Sequence, residues 1–316
     1  MKKIILLFVL ISSINVFAQE EEKEVKEKKL SISGSIDAYY QTYLSASDND
    51  EQSFGTSFAN RTGFALGMAN LIASYEGEKT GVVADLAFGP RGIDAVGGDN
   101  DIFINQLYAY WNVSEGTTLT LGRFNTYLGY EVISPTGNFN YSTSYLFSNG
   151  PFSHLGLKAD FTLSEDFSLM LAIMNATDVY DNMTGDYAFG AQLGYAGQFL
   201  NFYYDNDEVL GFEIDYTGGF DLTDSFFLGI NAAYADNDGS GFYGAALYPQ
   251  YSINDAFSLG LRGEYFGFHY EEGDDDTVFA TTLSGNYKIN ALTIIPEIRL
   301  DSWSDDTYFD SDLEPT

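Results

Sequence analysis

Residues 210–255 read LGFEIDYTGGFDLTDSFFLGINAAYADNDGSGFYGAALYPQYSIND, and their rhythm decides the fold class. Leu210, Phe212, Ile214 and Tyr216 alternate with Gly211, Glu213, Asp215 and Thr217. Successive side chains of a strand point to opposite faces, so hydrophobicity of period two marks a strand with one greasy and one polar face. The pattern resumes after Thr223-Asp224, where Phe226, Leu228, Ile230, Ala232 and Tyr234 oppose Gly229, Asn231 and Ala233, and it returns over 241–252. Short polar breaks at 223–224 and 254–255 flank a longer, acidic, glycine-bearing break at 236–240. One end of this set of hairpins is tight and the other is loose.

The same alternation extends to both sides. In 30–44, Ile32, Ile36, Ala38 and Tyr40 oppose Ser31, Ser33, Ser35, Asp37 and Gln41; in 155–163, Leu155, Leu157, Ala159, Phe161 and Leu163 alternate with Gly156, Lys158, Asp160 and Thr162. About fifteen strands emerge, near 30–44, 63–75, 80–89, 102–113, 117–125, 153–163, 167–175, 187–196, 199–205, 208–219, 225–235, 241–252, 256–268, 277–289 and 291–303. Lengths near ten residues match a tilted membrane strand. The connections alternate in length. Short turns lie at 77–79, 114–116, 164–166, 197–198, 223–224, 254–255 and 290, whereas 45–61, 90–101, 125–152, 176–186, 236–240 and 269–276 are longer, acidic and glycine-rich; 206–207 is the short exception. An up-and-down membrane barrel sorts its loops this way, short on the periplasmic side and long outside, and a soluble sandwich has no reason to.

Composition narrows the class further. Met1, Lys2 and Lys3 precede an apolar run reaching Phe17, too short to span a bilayer, with Val16 and Ala18 at the positions a signal peptidase reads. Residues 1–18 are therefore expected to be an export signal, and 19–29, rich in Glu and Lys, a charged periplasmic tether. The barrel is assigned to 30–316. The net formal charge of −32 becomes two units more negative once Lys2 and Lys3 are removed, a surface that repels phosphate backbones and excludes nucleic acid as a partner. No cysteine is present, which excludes a disulfide scaffold and a thiolate metal site.

The stretch from Gly122, GRFNTYLGYEVISPTGNFNYSTSYLFSNGPFSHLGLKADF, resembles the signature of the OmpL-like β-barrel porins of Gram-negative outer membranes. The likeness rests on the Gly-Arg-Phe start, Gly129-Tyr130-Glu131, the run Asn138-Phe139-Asn140-Tyr141-Ser142, and Pro151-Phe152-Ser153-His154 with Gly156. It implies an all-β, up-and-down antiparallel transmembrane β-barrel acting as a passive channel, with outer-membrane lipid, the barrel-assembly machinery and small hydrophilic solutes as partners, and a homotrimer as a possible assembly. Such barrels have an even strand number and usually end on an aromatic residue, whereas 301–316 reads DSWSDDTYFDSDLEPT. About sixteen strands are therefore expected, with the last one missing from this chain.

On the polar faces fall Asp37, Asp85, Asp160, Glu213, Asp215, Glu264, Glu297 and Asp301, interspersed with Lys158, Arg262 and Arg299. A wet lumen can hold these charges where a dry core could not, and their acidic excess predicts pore lining that prefers cations. They could equally pair with one another to stiffen the wall. The long 125–152 loop is the candidate constriction, through Asn138, Asn140, Tyr141, Ser142 and Tyr145; folding outward is the alternative. Arg123 shares the parity of lipid-facing Leu119 and Leu121, so either a bulge near Gly122 resets the register or Arg123 lies beyond the apolar band. No catalytic residue or cofactor is expected, since Ser153 and His154 are adjacent on a strand and face opposite sides. Asp236 and Asp238 are weak calcium candidates that turn chemistry explains more simply. The rival function is a non-conducting barrel serving as an adhesin or surface scaffold.

Overall fold

A computed structural model describes residues 29–44, 56–96, 103–182, 184–206 and 208–304. The expected export signal, nearly all of the tether and the last twelve residues lie outside the described residues. The strands are β1 (Lys29–Gln41), β2 (Gly63–Glu76), β3 (Thr80–Phe88), β4 (Ile104–Ser114), β5 (Thr117–Asn125), β6 (Ser153–Thr162), β7 (Phe167–Met174), β8 (Ala188–Tyr195), β9 (Gln198–Tyr204), β10 (Phe212–Thr223), β11 (Phe226–Asn237), β12 (Ser240–Asn254), β13 (Phe257–His269), β14 (Asp276–Ile289), β15 (Leu292–Ile294) and β16 (Glu297–Trp303). Each pairs antiparallel with its neighbour in sequence, in one sheet. β15 and β16 are two halves of one crossing, both paired to β14 and separated at Ile295-Pro296. Proline has no N–H to give the ladder, and here its carbonyl accepts from the Gly285 amide instead, at 3.0 Å. The described residues thus cross fifteen times as an up-and-down barrel wall. β1 and β16 run in the same direction and are not paired with each other among the described residues.

The alternation read from sequence becomes an inside and an outside. Ile36, Phe64 and Leu300 are 84%, 91% and 72% exposed, although each is a strand residue. Such apolar exposure is tolerable only against lipid. The inner parity carries Asp37, Asn70, Asp85, Asn201, Asp215, Asn231, Arg262 and Glu264, and the buried apolar residues collect there too, between the wall and segments folded inside it. In one cluster Tyr145 and Leu146 pack on Phe242, Ala246, Tyr248 and Phe266; in another Phe124, Tyr127 and Leu128 pack on Met170, Met174 and Tyr203.

One loop expectation is corrected. β11 and β12 stay paired through Asn237 and Ser240, so the break at 236–240 shrinks to Asp238-Gly239, with φ of 51° and 87°. Positive φ at both central residues defines the tight hairpin turn that Asp-Gly favours. At the longer connections, α1 (Pro90–Val96) and α2 (Tyr145–Asn149) form short helices that periodicity did not announce.

Candidate functional site

Loop 126–152 leaves the end of β5 and turns into the barrel. Its descent is fixed first by Tyr127, whose hydroxyl donates to the Phe202 carbonyl at 2.6 Å, and by the Gly129 amide, which donates to Asp215 at 3.0 Å. At the tip, Asn138 bridges back to Val132, accepting from its amide at 2.9 Å and donating to its carbonyl at 2.7 Å, which closes the turn around Pro135–Gly137. The return limb is gripped mainly through its backbone. Glu297 accepts the Tyr141 and Ser142 amides at 2.7 and 3.0 Å, and Glu264 accepts the Tyr145 and Leu146 amides at 2.9 and 2.8 Å. Arg262 and Arg299 donate to the Ser142 and Thr143 carbonyls at 2.7 and 2.8 Å. Asn286 donates to the Phe139 carbonyl and Asn140 to Ser284, at 2.8 and 2.7 Å.

The electrostatic centre of this grip is the ion pair of Arg262 with Glu131, 2.6 Å apart and buried on both sides. Glu131 also receives the amide and hydroxyl of Ser144, at 2.7 and 2.9 Å. Arg299 pairs with Asp301 at 2.8 Å, and Asp301 accepts the Tyr145 hydroxyl at 2.7 Å. Opposite, the Tyr141 hydroxyl donates to Asp37 on β1. Burial and this bond to Asp37 push the Tyr141 hydroxyl well above its ordinary range, so it remains a donor at neutral pH. From the neighbouring loop, buried Arg91 of α1 donates to the Ile133 carbonyl at 2.8 Å and lies over the Phe58 ring at 4.7 Å.

Steric complementarity completes the dock. Glycines of inward parity stand where loop rings lie against the wall: a Cβ at Gly190 would meet the Tyr127 hydroxyl at 2.4 Å, one at Gly229 the Tyr130 hydroxyl at 2.3 Å, and one at Gly260 the Phe139 ring at 2.3 Å. Beside and below the loop lies a large cavity of about 3530 Å³, which also reaches Ile36, Ile298 and Leu300 at the edges of β1 and β16 that are unpaired among the described residues. It borders Tyr43 and Asn60 at the long-loop rim and Asp224 and Ala291 at the short-turn rim.

Of the eleven charged residues assigned to the lumen, Asp37, Glu297, Arg299 and Asp301 border this cavity. The other seven have inward parity but do not border it. Asp215, Arg262 and Glu264 are buried by the loop they hold, and Asp85 sits among the amides of Asn70, Asn105 and Gln106. Glu213 is buried beside Asp215, and Lys158 pairs with Asp160 at 3.2 Å. All five loop candidates, Asn138, Asn140, Tyr141, Ser142 and Tyr145, lie in the inward segment; the first four border the cavity and Tyr145 is wholly buried. Glu131, Arg91, Ser284, Asn286 and the seating glycines were missed by sequence reasoning. A glycine at inward parity in an otherwise regular strand was their available signal.

The pairing of β5 with β4 and β6 is continuous through Gly122, so no bulge resets Arg123. Arg123 keeps its outward parity near the long-loop rim, where Tyr180 covers its guanidinium at 3.9 Å. His154 is buried, with Nε2 3.0 Å from the Thr126 hydroxyl, while Ser153 turns the other way to donate to Asp178 at 2.9 Å. Asp236 accepts the Gly239 amide at 3.3 Å within the turn that contains Asp238. No group of three or more acidic or histidine side chains suited to a metal occurs among the described residues.

Fold and site together define an outer-membrane type of β-barrel with a long loop folded into a polar lumen. The chain belongs to the family described as putative beta-barrel porin-2, OmpL-like, whose model matches residues 29–316. No curated protein sequence matches it. Among solved structures it is similar to the outer membrane channel DcaP of Acinetobacter baumannii, with 12% identity, 91% of this chain and 100% of that one covered, and a TM-score of 0.47. It is also similar to in-vitro folded OmpT of Vibrio cholerae in its trimer form, with 10% identity, 89% and 92% covered, and a TM-score of 0.49. A mutant of the Rh. blastica porin shares 12% identity over 87% of this chain and 100% of that one, with a TM-score of 0.43.

Proposed function

We propose that this protein is a passive, cation-preferring channel for small polar solutes, narrowed by loop 126–152. The observation that carries the reading is a large cavity that borders residues at both rims of the barrel. The cation preference is supported by the charges that remain on its wall. Asp37, Glu131, Glu165, Asp166, Asp221, Asp224, Glu297 and Asp301 border it against only Lys288 and Arg299. Carboxylates lining a water-filled constriction raise the local cation concentration and repel anions. The hydroxyl and amide groups of Asn138, Asn140, Tyr141 and Ser142 on the loop suit solutes that exchange hydrogen bonds with water as they pass.

Recording in planar bilayers tests this directly. Stepwise conductance is expected, with a reversal potential in a potassium chloride gradient on the cation-selective side. A heat-modifiable barrel that inserts without conducting refutes the channel and favours the adhesin or scaffold reading. Anion selectivity refutes the argument from the lumen charges.

A further inference from the structure

A water-filled lumen gives no reason to present apolar rings to the solvent, yet Phe139 and Phe227 both border the cavity beside Tyr130. The three rings are held against the wall by the same device. Phe227 lies where a Cβ at Gly219 would approach it at 2.2 Å, and Tyr130 and Phe139 occupy the places left open at Gly229 and Gly260. Tyr130 is in turn stacked on buried Tyr248, with ring centres 4.3 Å apart. Strand register places the three as a group. Phe227 on β11 pairs with Gln250 on β12, which pairs with Gly260 on β13, the seat of Phe139. Gly229, the seat of Tyr130, is two residues from Phe227, about 7 Å along the strand. Register thus groups the three rings about the position of Gln250, whose side chain hydrogen-bonds Tyr130. Asp221 opposes Phe227, and Ser258 opposes Asn286 just below.

We infer that this patch, beneath the loop on the side of the short turns, binds neutral pyranose sugars as they pass through the lumen. The inference rests on the channel reading and names the solute class. A pyranose ring has apolar C–H faces that desolvate against an aromatic ring, and equatorial hydroxyls that pair with amide and carboxylate groups in the plane around it. The patch supplies both kinds of partner at fixed positions. Its charge selects among sugars, since the eight acidic residues against two basic ones on the cavity wall disfavour uronates and sugar phosphates. Packing alone accounts for Tyr130 and Phe139, which also dock the loop. It does not account for Phe227, a strand residue that faces the cavity away from the loop's anchors.

The test is current block in planar bilayers by maltohexaose and by cellopentaose, with a polyethylene glycol of similar size as the control for simple exclusion. At least one sugar is expected to interrupt the current in a concentration-dependent way that the polymer does not reproduce. Phe227→Leu, which keeps apolar bulk but removes the ring face, is expected to weaken block by roughly three- to tenfold, the range of one aromatic stacking contact, with block read as a fraction of that variant's own open current. Gln250→Leu is expected to weaken it comparably. If channels conduct normally but neither sugar blocks more than the polymer, or if Phe227→Leu blocks as before, the inference is overturned and the channel reading stands. If no conductance is seen at all, the channel reading fails and this inference falls with it.

Discussion

Arg262→Met is the sharpest perturbation of the docked loop. The arginine is wholly buried and donates to Glu131 at 2.6 Å, to the Ser142 and Thr143 carbonyls at 2.7 and 3.1 Å, and to the Thr282 hydroxyl at 3.1 Å. Methionine fills much of the same volume but leaves Glu131 buried without its counter-charge, with Glu264 close by. Removing one partner of a buried ion pair costs about 3–5 kcal/mol. At about 1.4 kcal/mol per tenfold, the equilibrium between docked and released loop shifts by roughly two to three and a half powers of ten. The barrel ladder does not depend on this side chain, so the protein should still insert and still shift its mobility on heating. Single-channel recording should show a larger and noisier conductance. The combined variant Arg262→Met with Glu131→Gln removes both charges, and because an uncharged pair has no stranded ion its conductance should fall back toward that of the unmodified protein. Unchanged conductance in a folded Arg262→Met barrel would refute the reasoning, as would a double variant more open than the single one.

Three further outcomes follow from the same geometry. Gly260→Val should displace Phe139 and raise conductance, whereas Gly263→Val, where a Cβ meets nothing within 4 Å, should record like the unmodified protein; equal effects would remove the case for seating glycines. Neutralising the short-turn rim with Asp221→Asn and Asp224→Asn should lower the cation-to-anion permeability ratio by up to about sevenfold per charge, since roughly 0.6 kcal/mol for a charge about 7 Å away in water acts on cation and anion with opposite sign, read as a reversal potential nearer zero with the loop intact. Tyr180→Ala should destabilise the long-loop rim by about 1–2 kcal/mol through loss of its contact with Arg123, seen as a lower temperature for the heat-induced mobility shift; no change would mean that water serves Arg123 as well as the ring does.

The wall was legible in the sequence because its physics is local. Ile36 and Asp37 declare opposite faces by being neighbours, and the short turns at 77–79 or 254–255 need no distant partner to be recognised. The loop's destination was not legible, because it depends on contacts far apart in the chain. Tyr141 and Glu297 meet across 156 positions, and Glu131 and Arg262 across 131. Nothing in the composition of residues 126–152 distinguishes a loop that docks inside from one that stands in solvent. The break at 236–240 misleads for a narrower reason: acidic residues and glycine suit a longer loop, but Asp238-Gly239 is also the chemistry of the tightest turn.

The inward charges show most clearly what parity can and cannot tell. Facing the lumen is compatible with lining water and with holding a segment that excludes it, and both uses demand the same residue types at the same period. The structure divides them by partner. Glu264 and Asp215 accept main-chain amides of the inserted loop, which need hydrogen bonds once they leave bulk water. Asp221 and Asp224 border the cavity at its rim with no such anchoring role. On the proposed reading, Glu264 and Asp215 act first by shaping the constriction. Selectivity, on the proposed reading, comes from the short-turn acids together with Asp37, Glu297 and Asp301, which hold the loop and border the cavity as well. That separation is testable, since neutralising the turn acids should change which ions pass without changing the width, whereas releasing Arg262 should change the width first.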